Sequence, residues 1–382
     1  MARYSVQTTT LTWDPESGWS PDPATVPTQS GRTLALAFCA PDSEPPLDDL
    51  RSALGDVDLV ACSTAGQILG REIDLAPVVA AVLVFDDARV STVHRKRDMG
   101  AQETGAAIGA ELAGSSPSGD MAGVLVFGGG LDINGQALVR GMAETLPTGT
   151  LLSGGLAADG DRFEHAWVYC NGESGPDVVA AVAVFGSSVH FSNGSEGGWD
   201  GFGPRRTITR SDGNTLYELD GQPALPLYKE YLGERADELP ASAMLFPLAV
   251  SQGDGDTPLV RTVLNIDEDD QSMTFAGDVP EGWQARLMWT TKDDLIDGAE
   301  EAALNAHASA AQFALAISCV GRRLVLSMRT EEEIDSVVDT IGETVPLVGF
   351  YSYGEITSIN GMYALHNQTM TITTIREDGG AA

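Results

Sequence analysis

Repetition is the strongest constraint this chain places on its fold. The segment "DARVSTVHRKRDMGAQETGAAIGAELA" leads into "MAGVLVFGGG": a polar-tipped strand, a helix-period stretch, then an apolar strand ending on Gly128–Gly130. "WQARLMWTTKDDLIDGAEEAALNAHASAAQFALAISCVGRRLVL" has the same order, its helix opening on acids and its apolar strand running on to Gly321. An amphipathic helix follows each, "DINGQALVRGMAETL" and "TEEEIDSVVDTIGET". The second opens on Thr330 and three glutamates, which suit the unpaired N–H groups of a helix start.

Each half then enters a short strand that ends in a bend, "TGTLLSGGLAADG" and "VPLVGFYSYGEI". A third stretch, "DLVACSTAGQILG", belongs with them. Cys62 to Ile68 and Phe350 to Ile356 align without a gap, each with glycine fifth, then Gln or Glu, then Ile. The strands "VVAAVLVF", "DVVAAVAVFG" and "NQTMTITTI" come next, and "TMTITTI" alternates as a half-buried strand does. The expectation is an α/β protein of two related halves with mixed β-sheets covered by helices, a pseudo-symmetric internal repeat. The junction is placed near "LYELDGQPALPLYKEYLG", dividing the chain into 1–220, 221–376 and a flexible tail at 377–382. "SEGGWDGFGPRR" and "SQGDGDTP" read as surface loops.

The bends combine hydroxyls, aromatic rings and bared backbone, which suits a small polar ligand. Candidate ligand-binding residues are Cys62, Ser63, Thr64, Gly66, Gly154, Gly155, Cys319, Arg322, Tyr351, Ser352, Tyr353 and Glu355. In this reading the repeat brings the bends face to face, and Arg322 or Arg323 clamps a carboxylate. Tight turns burying small side chains are the alternative for any one of them. Nucleophilic chemistry would need Cys62, Ser63 or Cys319 with a base and an oxyanion site. No triad signature surrounds the five histidines, and "GFYSYG" misses the G-x-S-x-G elbow. "FGGGLDINGQALV" puts Gln136 and Ala137 where a phosphate loop needs Lys and Ser or Thr, and reads as a turn feeding a capped helix. No His or Cys pair has metal-ligand spacing. A haem needs one histidine, for which His366 and His165 are the candidates.

Charge narrows the partners. Fifty-five acids against 22 Lys and Arg give −33, with only three lysines. Such a field repels nucleic acid and anionic membrane, and its even spread along the chain reads as the solvation strategy of a halophilic, acidic proteome. The longest apolar run, Val78–Phe85, is too short to span a bilayer. Four scattered cysteines, without a C-x-x-C pair, fit a reducing compartment. The expected location is the cytoplasm.

"ACSTAGQI" with "LLSGGLAADGDRFEHAWVYCNGE" resembles the FIST N-terminal domain. "LYELDGQPALPLYKEYLG", "SCVGRRLVLSMRTEEEI", "VPLVGFYSYGEI" and "LHNQTMTITT" resemble its C-terminal partner domain. The resemblance covers nearly the whole chain in order. It implies a sensory module of intracellular signal transduction that binds a small molecule such as an amino acid, with some members resembling haem-based nitric oxide sensors. Members are often fused to histidine kinase, cyclic-dinucleotide or chemotaxis outputs. The matched residues leave no segment for one, so signalling is expected through a separate partner such as a histidine kinase. No catalytic residues carry over from the family. A cysteine-dependent enzyme using Cys62 or Cys319 and a haem-based gas sensor are the alternative functions.

Overall fold

The computed structural model describes residues 5–55, 57–115, 120–130, 133–239, 241–253, 258–306, 311–359 and 361–378. The α/β architecture with mixed sheets is present, and the repeat goes round three times rather than twice. In each unit two inner strands run parallel, as Thr33–Cys39 and Asp58–Ser63 do in the first, Met121–Gly128 and Leu151–Leu156 in the second, Phe313–Cys319 and Leu347–Ser352 in the third. A third strand lies antiparallel beside the first of each pair: Val78–Phe85, Val178–Phe185 and Met370–Glu377. A fourth closes that side: Val6–Asp14, Arg89–Lys96 and Val189–Glu196.

The units are joined by exchange. After its second inner strand each unit makes a bend and sends a hairpin to another unit's sheet. The first unit's Gln67–Leu69 pairs with Leu347–Ser352 of the third, the third's Gly354–Ile359 pairs with Leu151–Leu156 of the second, and the second's Val168–Cys170 pairs with Asp58–Ser63 of the first. The register is equivalent each time, matching Phe350 with Gln67, Gly155 with Glu355 and Cys62 with Val168. Where the units meet, Phe38, Phe127 and Phe350 close a ring of aromatic contacts at 4.7–6.3 Å between centroids. Gly155 sits in that contact because a Cβ there would lie 3.2 Å from Phe350 and 3.0 Å from Ile317.

Helices Ala101–Gly114 and Gly135–Thr145 cover the second unit, and Lys292–Asn305 and Thr330–Ile341 the third. Their apolar stripes share one core with the sheets through Ile108, Leu138, Val139, Ile334 and Val337. The strand Met370–Glu377, whose alternation predicts one wet face, is buried almost throughout. Its threonines accommodate this by bonding: Thr371 to Ser195 at 2.9 Å, Thr374 to the Ala306 carbonyl at 2.9 Å, and Thr373 to Ser153. Of the segment 377–382, Glu377 ends this strand, and its carboxylate accepts from the N–H groups of Asp86, Asp87 and Ala88 at 2.7–2.9 Å. Residues 379–382 lie outside the described residues.

Between Val189–Glu196 and Lys292–Asn305 the third unit carries an inserted sheet with its own core of Ile208, Leu216, Tyr228, Met273 and Phe275. Of "SEGGWDGFGPRR", which reads as loop, Ser195 and Glu196 end the strand Val189–Glu196 and "DGFGPRR" begins the long strand Asp200–Asp212. The register breaks between Phe202 and Arg206, and that irregularity admits Gly203, at φ +69°, and Pro204 into the strand. The junction sequence Leu216–Gly233 lies inside this sheet and its helix Ala224–Leu232. Of "SQGDGDTP", residues 254–257 lie outside the described residues.

Candidate functional site

The bends of the first and third units do converge. Tyr351 N–H donates to the Gly66 carbonyl and Ala65 N–H to the Tyr351 carbonyl, both at 2.8 Å. Their matching polar residues make matching bonds. The Thr64 hydroxyl meets the Gln67 amide at 2.6 Å, and Ser352 Oγ donates to Glu355 at 2.6 Å. Ser63 Oγ accepts from Trp167 N–H at 2.9 Å. Cys62, Ser63, Thr64, Tyr351, Ser352 and Glu355 are all buried, so these bends interlock as packed structure.

Two glycines are set by close approach. Gly66 has φ +138°, and a Cβ there would lie 1.8 Å from Arg323 Nη1. Gly154 has φ +149°, and a Cβ would lie 1.9 Å from the Val126 carbonyl. Arg322 is not a free clamp. Its guanidinium is buried and donates to Glu333 and to the carbonyls of Gly197 and Leu295, each at 2.6 Å. Glu333 also accepts from Tyr351 Oη at 2.9 Å. Arg323 is held by the Ala65 carbonyl and by Asp74.

Open space lies beside the bends, where the inserted sheet faces the strand ends of the second and third units. The cavity there is about 290 Å³. Gly130, Asn134 and Leu156 line it from the second unit, Tyr353 from the third, and Asn214, Leu264 and Gly277 from the inserted sheet. Asn134 begins the helix Gly135–Thr145, where its side chain accepts from Ala137 N–H at 2.9 Å, while its amide donates to Asp278 of the insert at 2.8 Å. Tyr353 stacks on Phe163 at 4.4 Å and 11°, and its hydroxyl donates to Asp159. Burial opposes ionisation of Asp159, yet Tyr353 and the N–H groups of His165 and Glu164 hold its carboxyl below the usual range.

Of the predicted site residues, Tyr353 lines this cavity, and Cys319 lines a smaller chamber that shares Phe163, Leu264, Ala276 and Tyr353 with it. Burial pushes Cys319 well above the ordinary thiol range and Glu355 adds to the shift, although Gln368 and Gly321 N–H groups and Arg322 pull the other way. Cys39 and Cys62 are raised by the same cause, and Cys170 is pushed up to about 12. None of these thiols has the lowered pKa of a nucleophile. His165 is exposed, and His366, buried and pushed down to about 3 by burial and by Arg261, lines neither cavity. Asn134 is legible in the sequence only as part of the turn before a capped helix, and Phe163, Asn214, Leu264 and Gly277 carry no local signal, because they meet only where the insert closes over the core.

Residues 33–222 match the FIST N domain and residues 224–358 the FIST C domain. The change from one to the other falls at the start of the helix Ala224–Leu232 in the inserted sheet. The chain is 28% identical over 187 residues to an uncharacterized protein of Methanocaldococcus jannaschii, covering 46% of this chain and 35% of that one. It is 26% identical over 247 residues to an uncharacterized protein of Mycobacterium tuberculosis, covering 62% and 63%. The matched region thus spans about a third of the first relative and under two thirds of the second.

Proposed function

The chain belongs to the FIST family, and from that premise we propose that it is a cytoplasmic sensory module of signal transduction, binding a small polar ligand between the inserted sheet and the strand ends. The observation that carries this reading is the cavity of about 290 Å³, at the small end of ligand sites, walled by backbone-baring glycines, amides and an aromatic stack. An amino acid is one candidate of suitable size. Occupancy passes to a separate protein such as a histidine kinase. Because the cavity draws on both the insert and the core, a bound molecule favours the arrangement in which the two are closed. It shifts the population by its difference in affinity for the two arrangements.

Raised thiol pKa values weaken the cysteine-enzyme reading, and the burial of His366 away from both cavities weakens it as a haem ligand. The test is a thermal-shift screen of amino acids, organic acids and polyols. A ligand at ~100 times its Kd adds ~2.7 kcal/mol. The shift should vanish in Leu264→Trp, which fills the cavity. If no compound moves the parent protein, or if Leu264→Trp responds equally, the assignment fails.

A further inference from the structure

Phe163 stands in the left-handed backbone region, at φ +57°, where a bulky side chain is rarely found. Hydrogen bonds hold it there. Its own N–H donates to Tyr353 Oη at 3.1 Å, and those of Glu164 and His165 donate to Asp159 at 3.0 and 2.8 Å. Strain of this kind persists only where the surroundings enforce it, and it clusters at active sites and ligand clamps. What it secures here is the position of a ring. Phe163 lies on Tyr353 with centroids 4.4 Å apart and planes 11° from parallel.

The two rings differ in exposure: Tyr353 is 7% exposed and Phe163 37%. With one face covered by Tyr353, the exposure of Phe163 falls on its other face and its rim. Leu264, brought by the inserted sheet and 45% exposed, borders the same cavity. Single apolar residues scattered over a surface need no explanation. These two, however, are among only nine large apolar side chains exposed in the described residues, and they reach one cavity from different parts of the fold. Apolar exposure gathered in this way marks a binding surface.

We propose that the cavity takes a ligand bearing a planar aromatic or heteroaromatic ring, which stacks on Phe163 and is covered by Leu264. The assignment rests on the cavity being a ligand site and names the class of molecule it holds. A flat ring extends the Phe163–Tyr353 stack by a third layer. Parallel, offset rings gain over the burial of area, whereas a puckered saturated ring receives the area contribution alone. Asn134 and Asn214 place amides on the border of the cavity, where the edge groups of such a ring lie. Phe163 then touches the ligand, while Tyr353 and Asp159 position it.

The experiment titrates the full chain with two matched pairs, benzamide against cyclohexanecarboxamide and phenol against cyclohexanol, followed by calorimetry and ligand proton NMR. The parent is compared with Phe163→Leu, Phe163→Trp and Leu264→Trp. In the parent the aromatic member of each pair should bind about three- to tenfold more tightly, the range that stacking supplies. Its ring protons should move upfield on binding. Phe163→Leu should lower the aromatic ligands to the level of the saturated ones and leave the saturated affinities largely unchanged, which separates a lost stack from a misfolded chain. Phe163→Trp should keep the preference, and Leu264→Trp should abolish binding of both members. Ring-bearing hits of the metabolite screen are read in the same variants. The ring assignment is overturned if saturated members bind the parent equally well, or if Phe163→Leu keeps the preference. Either result leaves the cavity reading standing when binding is lost in Leu264→Trp. Metabolites that bind and respond to Leu264→Trp but carry no planar ring likewise overturn the ring and keep the cavity. No binding by any probe or metabolite sinks both.

Discussion

Glu355 shows how one residue carries the balance between packing and charge. Its carboxyl is fully buried, with Ser352 donating to one oxygen and Thr369 donating to the other from N–H and hydroxyl at 3.2 and 3.0 Å. Burial pushes its pKa from 4.5 up to about 8, although those bonds and Arg322 oppose the shift. Between these values the native state holds a proton that the unfolded chain has lost. The protonated group's stability is therefore full below about 4.5 and falls as pH climbs towards about 8. Glu355→Gln should flatten that decline and gain on the order of a few kcal/mol over the parent near the upper end, read from urea unfolding across the window. Equal slopes in both proteins would assign the decline to another group. The Arg322–Glu333 pair makes the opposite case. Arg322→Met strands a buried carboxylate and should cost about 3–5 kcal/mol in the same unfolding measurement. A loss below about 1 kcal/mol would mean that Glu333 takes up a proton or finds another donor.

At the scale of elements, hairpin exchange is what binds the three units. In a fragment of residues 1–220, Gln67–Leu69 has no Leu347–Ser352 to pair with, and Leu151–Leu156 loses the Gly354–Ile359 edge. Unpaired edges invite association and leave backbone groups unsatisfied. This fragment should show no cooperative melt alone and should regain one when co-expressed with residues 221–382; a sharp independent transition would establish that the division is a true domain boundary. Close backbone packing gives a second expectation. Gly154→Ala places a carbon 1.9 Å from the Val126 carbonyl at a φ that side chains avoid. A loss of roughly 2 kcal/mol or more is expected by chemical denaturation.

Across the whole molecule, the charge of −33 acts on everything at once. Its ion pairs are mostly exposed, as with Arg71 facing Asp335, Asp339 and Glu343, and single surface pairs contribute little. Self-repulsion among the remaining acids is screened by salt, so the melting temperature should rise between roughly 0.05 M and 2 M sodium chloride. An unchanged midpoint would mean that the surface charge is already offset locally. The same three-unit body carries the insert in only one unit, which is why one junction of strand ends is roofed into a cavity. Among the described residues no helix is long and apolar enough to cross a membrane.

By itself the sequence determined the α/β class, the mixed sheets, the family and the likeness of the bends at Thr64–Gln67 and Ser352–Glu355. These are local signals, carried by periodicity and by short runs of side chains whose bonds stay within a few residues. Tertiary structure alone decided that the repeat closes in three, that its hairpins are exchanged, and that Arg322 is spent on Glu333 and main-chain carbonyls. It also moved the candidate site from the bends to the space beside them. Thr262, Leu264 and Asn367 stand up to 105 residues apart and come together only because the insert folds back over the strand ends. No periodicity records such a contact, since burial and open volume belong to an assembled surface rather than to a segment of chain.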